Sequence, residues 1–228
     1  MNYKEVIEAK YNREAWQQLL HDIFLNKVQF YNSTSEVKVN SRLAKSALYI
    51  GRISLSDGES LGIYEVELAD KVDIERNKRG IRDMLTKDWK DMGHAGAFMF
   101  CYRKNESVLR FSYVSETWGF NKKGDYEKLS TNTKRYTYLL GEGRGCRTAI
   151  EQFNALKDSK QSLSDVTAAF SVEALTKQFY KDLFDWYQWA VDPASGVYFP
   201  NNTSTEDDDR EDIETKIIRM ITRIMFVW

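Results

Sequence analysis

The sequence predicts a mixed α/β (α+β) domain followed by an all-helical segment, and three observations carry this prediction. Helix and strand patterns alternate over about the first 160 residues, no strand pattern follows residue 164, and both prolines fall within residues 193–200. Because proline interrupts helices and strands, a chain with only two prolines should form long regular elements with one break. We therefore expect an α/β domain at residues 1–160 and a helical connector at residues 161–228.

The first elements expected are a helix and a pair of strands. Apolar residues spaced three and four apart predict a helix over residues 14–24, with Asn12 as its N-cap. Runs of β-branched and aromatic residues predict strands over residues 44–56 and 61–68, joined by a turn that contains Asp57. This order predicts that the chain reverses direction at Asp57.

The next elements alternate in the same way. They are a helix over 73–91, strands over 96–102 and 108–114 that form a hairpin, a short strand over 136–140, and a helix from about 148. Strands and helices in this order are typical of a sheet covered by helices.

Two helices are expected in the connector. The first spans residues 171–190, and its spacing predicts a buried stripe of Leu175, Phe179, Leu183 and Trp186. The second follows the acidic run at residues 206–212 and ends in a bare apolar cluster. Because such an end exposes apolar surface, we expect the chain to be a truncated piece of a longer polypeptide. The alternative is a complete protein whose last residues pack into its own core.

Composition excludes several classes of protein. Aromatic residues make up 14% of the chain, which excludes a disordered protein. The two cysteines lie too far apart in the sequence to predict a disulfide framework or a cysteine zinc site, so we expect a reducing, cytoplasmic location. With no apolar run of about 20 residues and no apolar leader, we expect neither a membrane span nor secretion.

Charge is distributed unevenly, although the formal net charge is only −1. Residues 71–90 carry seven basic and four acidic side chains, and residues 121–147 carry seven and three. Residues 206–214 carry one arginine and seven acids. The α/β domain is therefore expected to present basic surface of the kind that contacts phosphate.

A candidate metal site lies around the strand at residues 61–68. On a strand, Glu65 and Glu67 face the same side, and Asp57 lies in the turn that leads into the strand. Three carboxylates and the carbonyl of Val66 would suit Mg²⁺, which could activate a water for phosphodiester hydrolysis. The alternative is an edge strand with a solvated polar face.

Two basic segments are candidates for contact with DNA. Arg76, Arg79 and Arg82 are spaced by three on the helix that follows the acidic strand, where they could contact a phosphate backbone. Arg144 and Arg147 lie in the glycine-rich segment GEGRGCR, which lacks the pattern of a phosphate-binding loop. The alternatives are a solvated helix face and a tight connection.

Several strings show a resemblance to a known family: YNREAWQQLLHDIF, ISLSDGESLGIYEVELADKVDIERNKRGIRDML, GAFMFCYRKNESVLRFSYVSE, FSVEALTKQFYKDLFDWYQWA and IIRMITRIMFVW. Together they resemble the N-terminal region of single-chain type IIG restriction-modification enzymes, over essentially the whole chain. The resemblance implies a PD-(D/E)xK endonuclease core, with a mixed sheet flanked by helices, and a helical connector. In such enzymes an adenine-specific DNA methyltransferase and a target-recognition domain follow.

The resemblance also assigns roles to individual residues. Asp57 and Glu65 match the acidic positions of the PD-(D/E)xK pattern, whereas Glu67 stands where lysine is usual. Glu67 would act as a general base or as a further metal ligand. Lys71, four residues further on, leaves that face of the strand. Glu14 corresponds to an auxiliary acid on the first helix.

The function expected from this resemblance is a Mg²⁺-dependent DNA endonuclease domain that acts on double-stranded DNA. S-adenosylmethionine would be bound only by the methyltransferase in the missing C-terminal part. The alternative is a catalytically inactive nuclease-fold module that binds DNA or serves as a scaffold for the methyltransferase, which the absent lysine favours. A third reading is an unrelated α/β domain, which predicts that Asp57 lies more than roughly 8 Å from Glu65.

Overall fold

The computed structural model describes residues 1–75, 78–116, 118–120, 126–128, 134–197 and 207–227. The chain divides into two compact units, Met1–Val172 and Glu173–Trp228. The expected boundary after residue 160 therefore lies within the first unit.

The first unit contains five α-helices, a short 3-10 helix at Leu25–Lys27 and eight strands within the described ranges. The helices are α1 (Tyr3–Ile7), α2 (Arg13–Phe24), α3 (Lys78–Asp91), α4 (Arg147–Lys157) and α5 (Leu163–Ala169). The strands are β1 (Val28–Glu36), β2 (Ala44–Ser54), β3 (Ser60–Leu68), β4 (Gly96–Tyr102), β5 (Val108–Ser115), β6 (Trp118–Phe120), β7 (Tyr126–Lys128) and β8 (Lys134–Gly141). The expected N-cap of α2 is confirmed, because the Asn12 side chain accepts a hydrogen bond from the Ala15 amide.

Six of these strands form one mixed sheet in the order β1, β2, β3, β4, β5, β8. The pair β3 and β4 is parallel, and every other pair in this sheet is antiparallel. A parallel pair needs a crossover, which here contains α3. The expected α+β architecture is confirmed at this level, including the β4–β5 hairpin.

Each face of the sheet has its own hydrophobic core. On one face, Trp16 and Phe24 of α2 and Phe153 of α4 pack with Phe98 and Phe111 of the sheet. On the other face, the buried cluster includes side chains of α3 and of the strands: Leu85, Trp89, Tyr64, Val66 and Met99. Helices therefore flank the sheet on both sides.

Several elements of the first unit were not expected from the sequence. Among them are the strand β1, the short strands β6 and β7, and the short helices α1 and α5. Five of the nine side chains of β1 are exposed and only Val28 is buried, so its alternation of apolar and polar residues is weak. β1 is an edge strand that pairs only with β2. Its strand conformation is stabilised by this backbone pairing and is not signalled by an apolar pattern.

The second unit is helical in the part that the structure describes. It contains α6 (Val172–Val191), a short 3-10 helix at Pro193–Ser195, and α7 (Asp207–Val227). The predicted buried stripe of α6 is wrong at Phe179 and Trp186, which are exposed. Leu183 is half-buried, and the side chain of Leu175 lies outside the described residues. Within the described ranges, no helix combines the length and apolar character needed to cross a bilayer.

Candidate functional site

The two glutamates of β3 lie on the same face of the sheet, as their spacing predicts. Leu61 and Ile63 precede Glu65 by four and two residues on β3, so their side chains face the same side of the sheet. Both belong to the core that α2 covers. Tyr64, Val66 and Leu68 belong to the core on the opposite face. Glu65 and Glu67 therefore project together near the carboxyl end of β3, on the α2 side of the sheet.

Glu65 is buried and is held by an arginine at the start of α2. Its side chain is only 2% exposed, whereas that of Arg13 is 41% exposed. The Nε atom of Arg13 donates to one carboxylate oxygen at 2.8 Å, and a terminal nitrogen of the same guanidinium donates to the other. Such a bidentate pair neutralises the buried carboxylate and fixes the orientation of the guanidinium.

Tyr11 completes the surroundings of Glu65. Its hydroxyl donates a hydrogen bond to the same Glu65 oxygen that accepts from Arg13 Nε. Its ring stacks on Tyr102, with the two ring centroids 4.7 Å apart. Burial, together with the charge of Glu65, raises the pKa of Tyr11 well above its ordinary value, so the hydroxyl keeps its proton and remains a donor.

Glu67 lies between two lysines. The Lys104 ammonium is 3.1 Å from one carboxylate oxygen of Glu67, and the Lys45 ammonium is 3.8 Å from the other. Lys45 also bridges to Asp70 at 2.6 Å, and its hydrogen bond lowers the pKa of Asp70. The cations beside Glu67 therefore come from β2 and from the β4–β5 turn, whereas Lys71 is exposed.

Asp57 lies at the other end of β3. One of its carboxylate oxygens accepts a hydrogen bond from the Leu163 amide at 2.8 Å, and the other accepts from the Glu59 amide at 3.3 Å. Leu163 is the first residue of α5, so Asp57 satisfies a free amide at the amino terminus of that helix. Glu65 lies five positions after Ser60 on β3, which is about 16 Å of extended strand.

The predicted Mg²⁺ site is therefore not formed by these residues. The structure brings Glu65 and Glu67 together but leaves Asp57 at the opposite end of the strand. Val66 pairs with Ala47 and Cys101 on the two neighbouring strands, so its backbone lies within the sheet. No group of three or more acidic, histidine or cysteine side chains that could hold a metal ion is found among the described residues.

The auxiliary acid and the predicted DNA contacts lie elsewhere. Glu14 is exposed in the first turn of α2. Arg144 pairs with Glu75, and the Nε atom of Arg147 is 2.7 Å from Glu151, one turn further along α4. Of the three arginines predicted to contact DNA from the helix after β3, Arg79 and Arg82 lie in α3, where only their backbone is described, and Arg76 lies outside the described residues.

A second polar cluster lies on the opposite face of the sheet and is uncharged at its centre. The His94 ring nitrogens are 2.8 Å from the Ser60 hydroxyl and 3.0 Å from the Tyr49 hydroxyl. Burial lowers the pKa of His94 below its ordinary value, and the nearby Arg52 charge acts in the same direction. His94 is therefore held as a neutral ring that bridges two hydroxyls.

The residues that complete the glutamate pair were missed by sequence reasoning. They are Tyr11, Arg13, Lys45 and Lys104, and they come from three segments of the chain. The one feature of the sequence that indicates such partners is Glu65 itself, because a carboxylate that is buried in an apolar strand needs a cation or hydrogen-bond donors beside it. Nothing in the spacing identifies which arginine or lysine supplies that partner.

Comparison with family models, with known proteins and with solved structures finds no match for this chain.

The chemistry of the glutamate pair follows from its partners. Each carboxylate already has a cation within contact distance, so the pair acts as an anchor for Arg13, Lys45 and Lys104. All three cations keep part of their surface in solvent, where they can meet a further anion. We define these five residues, Arg13, Lys45, Glu65, Glu67 and Lys104, as the β3 charge cluster.

Proposed function

We propose that the chain is a nuclease-like DNA-binding module of a type IIG restriction-modification enzyme, in which the β3 charge cluster contacts DNA instead of binding Mg²⁺. It would serve as a platform for the methyltransferase that such enzymes carry. The observation that carries the proposal is the bidentate pair of Glu65 with Arg13. A carboxylate that is committed to a guanidinium and a tyrosine is not available as a metal ligand.

The second support is the position of Asp57. The resemblance assigns it to the catalytic acids, whereas its hydrogen bonds tie the β2–β3 turn to the first amide of α5. The residues of β2 that lie opposite the glutamates are Leu48 and Ser46, and neither is acidic. A single ion could not be shared by the three predicted ligands, because metal–oxygen distances are about 2.0–2.6 Å.

The support for DNA binding is the exposed cations. The side chain of Lys104 is 72% exposed beside Glu67, and Lys45 and Arg13 are partly exposed. Arg147, at the amino terminus of α4, is mostly exposed as well. Exposed lysine and arginine side chains are the usual contacts to backbone phosphates, and they give affinity without sequence specificity.

The test is fluorescence anisotropy with a labelled duplex of about 20 base pairs, between about 50 and 200 mM salt. Lys104→Ala is expected to weaken binding and to lower the salt slope by about 0.9, which corresponds to one lost phosphate contact. Lys160→Ala is the matched control, because exposed Lys160 lies near Asp57 at the other end of β3. Equal losses in the two variants would contradict a contact at the cluster.

A second candidate function is hydrolysis of DNA, and one observation favours it. Lys104 places an ammonium 3.1 Å from Glu67, close to where the usual motif lysine would be needed. If Arg13 released Glu65, the two glutamates could then bind Mg²⁺ with Lys104 beside the attacking water. Nicking of supercoiled plasmid in Mg²⁺ or Mn²⁺, abolished by Glu65→Gln, would establish this function and overturn the first.

Absence of DNA binding would favour the third interpretation, an unrelated α/β domain, over both the DNA-binding module and the endonuclease. If the chain neither binds duplex DNA at about 50 mM salt nor nicks plasmid, it is an α/β domain without a nucleic-acid function. If it binds DNA without nicking and Lys104→Ala weakens the complex, the non-cleaving module is supported. The three outcomes are distinguished by two measurements on the same protein preparation.

A further inference from the structure

The helix α7 carries a row of charged residues along one side, and the sign of the charge changes along the row. Five charged residues follow one another at alternating spacings of three and four, which places them on one face of a helix. From the amino end they are Asp209, Asp212, Lys216, Arg219 and Arg223. This charged row of α7 therefore begins with two acids and ends with three bases.

The basic end of the charged row faces solvent. Arg219 and Arg223 are exposed and, with Lys216, line a groove of about 380 Å³ along α7. The other lining residues are Met220 and Ile224, which are 36% and 56% exposed. No acidic residue lies three or four positions from either arginine in the sequence, so no ion pair along the helix compensates their charge.

The charged row lies on the side of α7 that faces away from α6. The α7 residues that line a groove together with α6 are Ile218, Ile221, Thr222 and Met225. With about 100° of rotation per residue, these positions centre about 180° away from the row. Contact with α6 therefore leaves the charged row uncovered.

The charged row is complementary to a second copy of itself in one direction only. In an antiparallel pair with a two-fold axis at Lys216, Asp209 lies near Arg223 of the second copy. Asp212 lies near Arg219, and the symmetry repeats both contacts, so like charges meet only at the axis. A parallel pair would set like charges against each other along the whole row, which disfavours that direction.

We propose that α7 pairs antiparallel with α7 of a second copy of this chain, so that the acidic end of each charged row meets the basic end of the other. Met220 and Ile224 beside the row supply apolar contact, and the change of sign along the row sets the direction. DNA fits the row less well, because its phosphates would also meet the acidic end. The proposal uses no residue of the β3 charge cluster, so it stands independently of DNA binding there.

Sedimentation velocity of the 228-residue chain, between about 1 and 500 µM, tests the proposal. Dimers should form at about 50 mM salt and dissociate at about 500 mM, because salt screens contacts between exposed charges. Arg219→Glu combined with Arg223→Glu should raise the dissociation constant about tenfold or more, and so should Asp209→Lys combined with Asp212→Lys. The matched control is Lys10→Glu combined with Lys160→Glu, two exposed lysines outside α7, which should leave the dissociation constant unchanged.

A mixture of the two charge-reversed variants shows whether the loss comes from the charges or from misfolding. Each variant repels a second copy of itself, but the two rows complement each other, so an equimolar mixture should dimerise about as tightly as the unsubstituted chain. A chain that stays monomeric at about 500 µM and low salt would overturn the proposal. So would charge-reversed variants that dimerise normally, a mixture that stays monomeric, or duplex DNA binding that requires both arginines in a chain that does not dimerise.

Discussion

At the amino-terminal end of β3, Asp57 accepts hydrogen bonds from two backbone amides, and Ser60 contacts a neutral histidine. Near the carboxyl end, Glu65 is buried against Arg13 and Glu67 lies between two lysines. The acidic residues at the two ends therefore have different partners: backbone groups at one end and cations at the other.

A shared residue type does not define a shared site. Asp57 is tied to the start of a helix, where a carboxylate is favoured by the free amides. Glu65 is buried beneath α2, where an unpaired carboxylate would cost several kcal/mol. Local surroundings, and not proximity along the sequence, decide which acid anchors a cation and which one ties a loop to a helix.

The largest expected effect comes from breaking the Glu65–Arg13 pair from the arginine side. Arg13→Met should lower the free energy of unfolding by about 3 kcal/mol, because it leaves a buried carboxylate with only Tyr11 as its partner. Urea unfolding followed by tryptophan fluorescence measures this loss. Arg147→Met is the control, because Arg147 is mostly exposed.

A double variant tests the charge of the Glu65–Arg13 pair separately from its packing. Arg13→Met combined with Glu65→Leu should recover most of the loss, since an apolar pair of similar volume replaces the buried ion pair. A double variant that is as unstable as Arg13→Met alone would show that the loss of unfolding free energy comes from altered packing around Arg13 and not from an unpaired charge.

A smaller loss is expected at the other end of β3. Asp57→Ala should lower the free energy of unfolding by about 1 kcal/mol, the usual contribution of a side chain that satisfies a helix amino terminus. Asp57→Asn keeps an acceptor oxygen and should recover part of that loss. Thermal unfolding measures both variants, and a stability equal to that of the unsubstituted chain in Asp57→Ala would contradict the assigned role.

Acidification should also affect the amino-terminal end of β3, through His94. Burial lowers the pKa of His94 from the ordinary value of 6.5, so the unfolded chain takes up a proton more readily than the folded chain. The contribution of His94 is complete above pH 6.5 and declines as the pH falls below it. The His94→Gln variant should show a shallower loss of stability between about pH 7 and pH 5.

The smallest effect is expected from an exposed pair. Arg147→Ala removes the contact with Glu151 on α4 and should change the free energy of unfolding by less than about 0.5 kcal/mol. The same variant should weaken DNA binding if Arg147 contacts phosphate. Anisotropy and unfolding together therefore separate a binding contact from a structural contact, and a large loss of stability would contradict the assignment.

Much of the architecture was predictable from the sequence. The hairpin of β4 and β5 and the helix α2 have strong apolar periodicity, and both form at the expected residues. β1 was missed because its side chains alternate weakly, and backbone pairing with β2 forms it. The expected burial of Phe179 and Trp186 was wrong because helical spacing identifies an apolar stripe without identifying what covers it.

The candidate site was predictable only in part. The period of two along a strand places Glu65 and Glu67 on one face, and the structure confirms this. The same argument cannot say how far a turn lies from the middle of a strand, so Asp57 was expected too close to Glu65. Arg13 and Lys104 reach the glutamates through tertiary contacts across more than 35 residues of sequence, which no local pattern encodes.

The central claim is that Glu65 anchors Arg13 and is not a metal ligand. Titration of the chain with Mn²⁺, followed by electron paramagnetic resonance, tests it most directly. We expect no stoichiometric Mn²⁺ site below about 1 mM, and the same result in the Glu65→Gln variant. Binding of one Mn²⁺ per chain that is lost in Glu65→Gln would contradict the account.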